Sequence, residues 1–239
     1  MEKPAKLTEL DDSALALERP RATLVEIVAD KLREFILIEK LPPGAPISER
    51  DVAAALGISR TPMRGALALL ERDGLVEYSV TRRPRVADPS LEDIADSLAV
   101  MGALEALAGE LACQNASDEE IRQIVMLQQK MAEGSGTLEP IEFFRTDMKM
   151  HGAIVQASGN NALIDTHSKY NARLWRARFV SSRRSAGREQ TLAEHTAIAE
   201  ALTKRDAVAT AHALRTHLVS AVTNISVALE ERQNKAPKE

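Results

Sequence analysis

Apolar residues recur at Leu24, Ile27, Val28, Leu32, Phe35 and Ile36, the spacing of one buried helical face. Leu41-Pro42-Pro43-Gly44 stops that helix. Ser48-Glu49-Arg50-Asp51 has the form of a capping box, with the Ser hydroxyl and Asp carboxylate serving the first free backbone N–H groups. It predicts a second helix running to Leu56, after which Gly57 permits a sharp turn. Ser59 is placed to cap a third helix with Pro62 in its first turn, where a proline sacrifices no helical hydrogen bond. Asp73-Gly74 closes that helix. Residues 75–87 (LVEYSVTRRPRVA) set apolar and β-branched residues on both sides of a basic tip, the pattern of a small hairpin.

From Leu91 to about Glu230 the pattern is helical throughout, with breaks near Gln114–Ser117, Gly134–Gly136, Gly159–Asn161, Ser181–Gly187 and Lys204–Asp206. About six helices joined by short connections predict an all-helical bundle. The chain thus divides into a flexible arm (1–20), a winged helix-turn-helix (21–87), a linker (88–90), a helical domain (91–230) and a tail (231–239). The fold class is mainly α, with a single hairpin wing.

Composition agrees: 44% hydrophobic residues can fill a core, and 3% aromatics favour packed helices over aromatic-rich sheets. Cys113 is the single cysteine, so no internal disulfide is possible. No apolar run approaches the roughly 18 residues of a membrane span, and the first twenty residues are acidic and polar. A cytoplasmic protein without membrane contact is expected. A net charge of -4 argues against nucleic acid until its distribution is considered. Between Ser48 and Val86, seven arginines (Arg50, Arg60, Arg64, Arg72, Arg82, Arg83, Arg85) face five acids (Glu49, Asp51, Glu71, Asp73, Glu77), and five of the seven fall within 60–64 and 82–85. Such concentration suits phosphate and groove contacts.

In a winged helix-turn-helix the third helix enters the major groove, N-terminal residues leading. Arg60 and Arg64 lie four apart on one face of that helix, where arginine can donate two hydrogen bonds to a guanine edge. Ser59 and Thr61 can reach phosphates or thymine methyls, and Arg82 and Arg83 at the hairpin tip can grip backbone or the minor groove. Singly, each arginine reads as ordinary exposed surface; it is the punctuation around them that gives them a role. The run LPPGAPISERDVAAALGISRTPMRGALALLERDGLV resembles the N-terminal domain of the GntR family of repressors, over roughly residues 22–87. That resemblance implies DNA contacts at Arg50, Arg60, Thr61 and Arg64 and at wing residues near Thr81 and Arg82. Two positions depart from the pattern. Gly65 occupies the recognition helix at a cost of about 1 kcal/mol relative to alanine, and the wing tip lacks its expected glycine.

All five histidines lie between residues 151 and 217. His151 shares a stripe with Phe144, Met148 and Val155, and Asp147 precedes it by one turn. His195 aligns with Leu192, Ile198 and Ala199, and His217 sits among Ala213, Leu214, Leu218 and Ala221. Taken alone, each reads as a satisfied core histidine; together they form a set of imidazoles and a carboxylate suited to a transition metal. His212 is on another face. His167 shares the stripe of Leu163, Tyr170 and Leu174, so spacing leaves it open as a ligand.

The C-terminal region, about residues 91–230, resembles the FCD domain, the effector module of the FadR-like branch of the same family. Its hallmarks stand in order: Leu104-Glu105, Asp147-x3-His151, Ala157-Ser158-Gly159-Asn160, Glu194-His195, and Asp206 leading to His217. The resemblance implies that Asp147, His151, His195 and His217, and not His167, hold one divalent transition metal per chain. Zinc is the first choice, with nickel, manganese and iron as alternatives. It also implies a small anionic, carboxylate-type metabolite bound beside the metal. An arginine often stands four residues before the Leu-Glu glutamate; here that place is Met101. Asn171 and Arg178 share the inward stripe of Leu163, His167 and Leu174, which nominates them as effector ligands, with snorkelling of Arg178 to solvent as the alternative. The expected function is a ligand-responsive repressor, not an enzyme, acting as a homodimer on double-stranded DNA with a pseudo-palindromic operator. Two rivals are a metal-dependent hydrolase or lyase and a sensor of the metal ion itself. The first is short of a general base, because Asp147 is used as a ligand and Glu194 is expected to point elsewhere.

Overall fold

The computed structural model describes residues 22–184 and 187–235, with side chains as far as 231. The proposed arm at 1–20 and residues 236–239 of the tail lie outside the described residues. Helix α1 (Leu24–Leu37) starts at a full capping box: Thr23 Oγ1 accepts from Glu26 N, and the Glu26 carboxylate accepts from Thr23 N. Helix α2 (Glu49–Ala55) and helix α3 (Arg60–Arg72) follow, then strands β1 (Val76–Tyr78) and β2 (Pro84–Val86). The strands pair antiparallel with Val76 opposite Val86 and Tyr78 opposite Pro84. Met63, Ala66, Leu67 and Leu70 on the inner face of α3 pack with Leu32 and Ile36 of α1 and with Val76 and Val86. Burial of that face holds the outer face of α3 toward solvent.

Six further helices are described: α4 (Leu91–Asn115), α5 (Asp118–Glu133), α6 (Pro140–Ala157), α7 (Asn161–Ser182), α8 (Arg188–Thr203) and α9 (Ala207–Lys235). The last helix runs five residues past the expected end at 230. Helices α4 and α9 pack closely because Gly109 leaves room for Leu214 and Thr210; a Cβ there would lie 2.5 Å from Leu214 Cδ1. The other long helices surround this pair and bury a core of Ile124, Met131, Phe143, Met150, Ile154 and Leu202.

The two parts touch through a small apolar cluster. Leu37 of α1 packs with Phe144 and Met148 of α6 and with Phe179 and Trp175 of α7. Phe144 meets the Trp175 ring edge-on at 4.9 Å. Arg173 of α7 lies against Gly74, where any Cβ would come within 2.6 Å of it.

Several local expectations change. Ser59 occupies the N-cap of α3 but makes no capping hydrogen bond. Ser48 caps α2 by accepting from Asp51 N at 3.3 Å, yet the Asp51 carboxylate does not take the Ser48 backbone N–H: it faces the Ser48 hydroxyl and Arg50 Nε, the latter at 3.1 Å. Gly65 is explained by its neighbour, since a Cβ there would sit 3.0 and 3.1 Å from the two methyls of Val25. The glycine brings α1 and α3 together at the cost of helix propensity. At the wing tip Arg82 itself takes the left-handed conformation, φ 56°, that the missing glycine would have filled.

Candidate functional site

On the DNA-binding side, Arg50, Ser59, Arg60, Thr61, Arg64, Thr81, Arg82 and Arg83 are all exposed. Arg60, Thr61 and Arg64 begin α3, and the wing residues occupy the hairpin tip. Arg64 Nε is held at 2.9 Å by Glu49 Oε2. Arg60 has no carboxylate partner among the described residues.

In the helical domain, helices α6, α8 and α9 bring Asp147, His151, His195 and His217 together, all buried, with their ligand atoms within 4.8 Å of one another. His195 Nε2 lies 3.3 Å from His217 Nε2 and 3.2 Å from Asp147 Oδ1; His151 Nε2 lies 3.3 Å from the same oxygen. Ligand atoms about 2.0–2.1 Å from one tetrahedral ion stand about 3.3 Å apart. Asp147 Oδ1 and His151 Nε2 are buried without a hydrogen-bond partner. Buried polar atoms in that state are costly, and a shared cation relieves both. The donor set, three imidazoles and one carboxylate, suits a divalent transition ion.

The outer nitrogens are held by carboxylates. His151 Nδ1 donates to Glu105 Oε2 at 2.6 Å and His217 Nδ1 to Glu194 Oε2 at 2.8 Å. Each bond puts the proton on Nδ1 and turns the Nε2 lone pair inward, as metal-ligating histidines require. Glu194 therefore points into the site rather than away from it, because α9 places His217 over it. His195 Nδ1 is buried without a partner.

His167 is buried but stands outside the cluster, its Nε2 3.1 Å from Glu105 Oε1. Glu105 is fully buried, and Arg178 Nη1 lies 3.7 Å from the same oxygen. Arg178 is also buried, so it does not snorkel, and it donates to Asn171 Oδ1 at 3.3 Å. Met101 is buried in the core with Leu98 and Leu174, leaving no cation at that place. Arg178 lines a cleft together with Asp147 and His217. Arg188, which also enters this cleft, was missed from sequence, and Glu105 was noted there only as part of the Leu104-Glu105 hallmark, without its role beside His151, His167 and Arg178. Glu105 had left a signal: it is in helical phase with buried Leu98, Met101, Ala108 and Ala112.

Electrostatics prepare the site. Burial opposes charge on Asp147, but the imidazoles of His151 and His195, 3.3 and 3.2 Å from its Oδ1, hold its carboxyl well below the usual range. Glu105 is depressed likewise, burial being outweighed by His151, His167 and Arg178. Burial also opposes charge on His151, yet Glu105 and Asp147 raise it to about 9. His217 is pushed down to about 4, by burial first and then by its histidine neighbours, against the bond to Glu194.

A winged helix-turn-helix joined to a helical bundle with a buried three-histidine, one-carboxylate centre defines a class of bacterial DNA-binding regulators. Residues 24–86 match the bacterial regulatory proteins of the gntR family, and residues 96–220 match the FCD domain. The chain belongs to the GntR family, with an FCD domain, and is a DNA-binding transcription regulator, not an enzyme. It is 34% identical over 196 residues to an HTH-type transcriptional regulator in an unstable DNA locus of Streptomyces ambofaciens, covering 79% of each chain. It is 28% identical over 189 residues to the HTH-type transcriptional repressor RspR of Escherichia coli, covering 78% of this chain and 82% of that one. The solved structure of E. coli McbR/YncC shares the fold with a TM-score of 0.73 at 19% identity, over 88% of this chain and 99% of that one. FCD domains bind metals, and the buried cluster here is able to hold one. Among the described residues no helix is long and apolar enough to cross a membrane.

Proposed function

We propose that this protein is a cytoplasmic, homodimeric repressor that holds one zinc ion at Asp147, His151, His195 and His217 and binds a small carboxylate metabolite beside it. The observation that carries this reading is the convergence of unpartnered Asp147 Oδ1 and His151 Nε2 next to a cleft lined by buried Arg178. Asn171 steadies that guanidinium. Nickel, manganese and iron are alternatives for the same donors.

Arg50, Ser59, Arg60, Thr61, Arg64, Thr81, Arg82 and Arg83 form the DNA-reading surface in this proposal, paired by two-fold symmetry across a pseudo-palindromic operator. The signal has a short route. Helices α6 and α7 supply Asp147, His151 and Arg178, and the same helices carry Phe144, Met148, Trp175 and Phe179 against Leu37 of α1. A ligand favouring one seating of that cluster shifts the DNA-binding part and lowers operator affinity, with coupling of about 1–3 kcal/mol.

The test is operator titration of metal-free and zinc-loaded protein across a panel of carboxylate metabolites. Release from DNA only when zinc and a metabolite are both present supports the reading. Release by zinc alone establishes the ion itself as the signal and overturns it.

A further inference from the structure

The cleft beside the four ligands is lined by a cation that no carboxylate of the described residues neutralises. It is a partly open cleft, with about 620 Å³ of non-atom space when the solvent-facing part is counted. Three arginines line it: Arg178 of α7, Arg184 beyond the end of α7, and Arg188 at the start of α8. They differ in how their charge is used. Arg184 is held by Glu231 through contacts of 3.2 and 2.8 Å. Arg178 shares Glu105 with two histidines.

Arg188 has no carboxylate partner among the described residues. One Nη donates to the Ser135 carbonyl, and the guanidinium lies over the Phe143 ring at 4.8 Å. Its Nε is buried with no hydrogen-bond partner. A desolvated guanidinium N–H left unpaired is costly, and an anionic oxygen entering the cleft satisfies it. The acids lining the cleft cannot do so: Asp147 faces His151 and His195, and Glu194 is bonded to His217. The lining also includes the hydroxyl- and amide-bearing Ser181, Thr191 and Asn224.

We propose that the effector is a hydroxylated dianion, an acid with one anionic group at each end of a hydroxyl-bearing chain. Its second anionic end is held by Arg188. The proposal rests on the reading of this cleft as the effector site. Arg188 stands two helical turns before His195, a rise of about 10 Å along α8. The arginine side chain covers part of that span, and a diacid of about four to six carbons covers the rest. Arg188 thereby sets specificity, supplying from α8 a cationic contact that Met101 cannot make.

The experiment is calorimetry on the zinc-loaded full chain with matched pairs that differ only in a terminal carboxylate: tartrate against threonate, and galactarate against galactonate. The expected result is a preference of about tenfold or more for the diacid in at least one pair. Arg188→Gln removes that preference by weakening the diacid more than the monoacid, and Arg188→Lys retains part of it. Unchanged melting temperatures of both variants verify the fold. Equal binding of diacid and monoacid in both pairs, a preference that survives Arg188→Gln, or no binding by any of the four acids overturns the proposal. A monoacid that binds only with zinc, with no gain from a second carboxylate, overturns the dianion alone and leaves the effector-site reading standing. Diacid binding indifferent to zinc and to Arg178→Gln places the effector elsewhere and overturns both.

Discussion

Replacing Glu105 with glutamine tests the electrostatic design of the metal centre. Glu105 is the strongest influence raising His151 to about 9. At pH 8 the metal-free site therefore holds about 0.9 of a proton on His151, whereas an ordinary histidine near 6.5 holds about 0.03. A metal ion must displace that proton, which costs about 1.4 kcal/mol of affinity at pH 8. His217, lowered to about 4, releases none. The sign follows directly: affinity rises about tenfold per pH unit between 7 and 8.5 and levels off above about 9. In Glu105→Gln the side chain keeps its size but loses the charge, so His151 returns toward or below its ordinary range. Calorimetry of zinc binding at pH 8 in buffers of different ionisation enthalpy counts the protons. The wild type should release about 0.9 and the variant about 0.1 per zinc. Loss of ligand orientation in the variant should also weaken binding about 10- to 100-fold, but that penalty changes the intercept and not the pH slope. Equal proton release from both proteins would trace the proton to zinc-bound water and refute the role given to Glu105.

His195→Ala or His217→Ala should lower zinc occupancy and melting temperature together, with no change for exposed His212→Ala; elemental analysis and thermal scans decide this. Arg60→Ala and Arg64→Ala should each weaken operator binding roughly ten- to hundred-fold and relax preference at one base pair per half-site, measured by anisotropy on operator variants. Arg82→Ala should weaken binding evenly across sequences. Gly65→Ala should destabilise the DNA-binding part despite alanine's helix propensity, because Val25 lies 3.0 Å from the new Cβ. In a Val25→Ala background the same change should stabilise by about 1 kcal/mol in urea titrations, and a loss in both backgrounds refutes the packing argument. In metal-free protein the raised His151 contributes stability that is fully present below about pH 6.5 and lost as pH rises through about 9. Its melting temperature should fall over that window, and more than that of the zinc-loaded protein.

Much of the architecture was legible because helix periodicity and stop signals are local. Asp73-Gly74 and the breaks near 116, 135, 160 and 205 fall where described helices end, whereas α1 ends at Leu37, before the expected stop at Leu41-Pro42-Pro43-Gly44. Resemblance nominated three of the five histidines, together with Asp147, as ligands, something periodicity could not do: His167 occupies an inward stripe as regular as that of His151. Its exclusion has a tertiary cause. Helix α4 places Glu105 between the two, and His167 Nε2 is spent on that carboxylate. Glu194 was misread for the same reason, since its neighbour on the adjacent helix is invisible along the chain. Gly65 looked like a defect until α1 and α3 came close enough for Val25 to need the space. Arg82 shows the converse, a side chain accepting a left-handed backbone because the hairpin register demands it there. Arg188 left a signal that went unread. It stands four residues before Leu192 and seven before His195, on their helical stripe, but only the tertiary structure, which sets Phe143 of α6 and Asn224 of α9 beside the start of α8, shows that this position reaches the cleft.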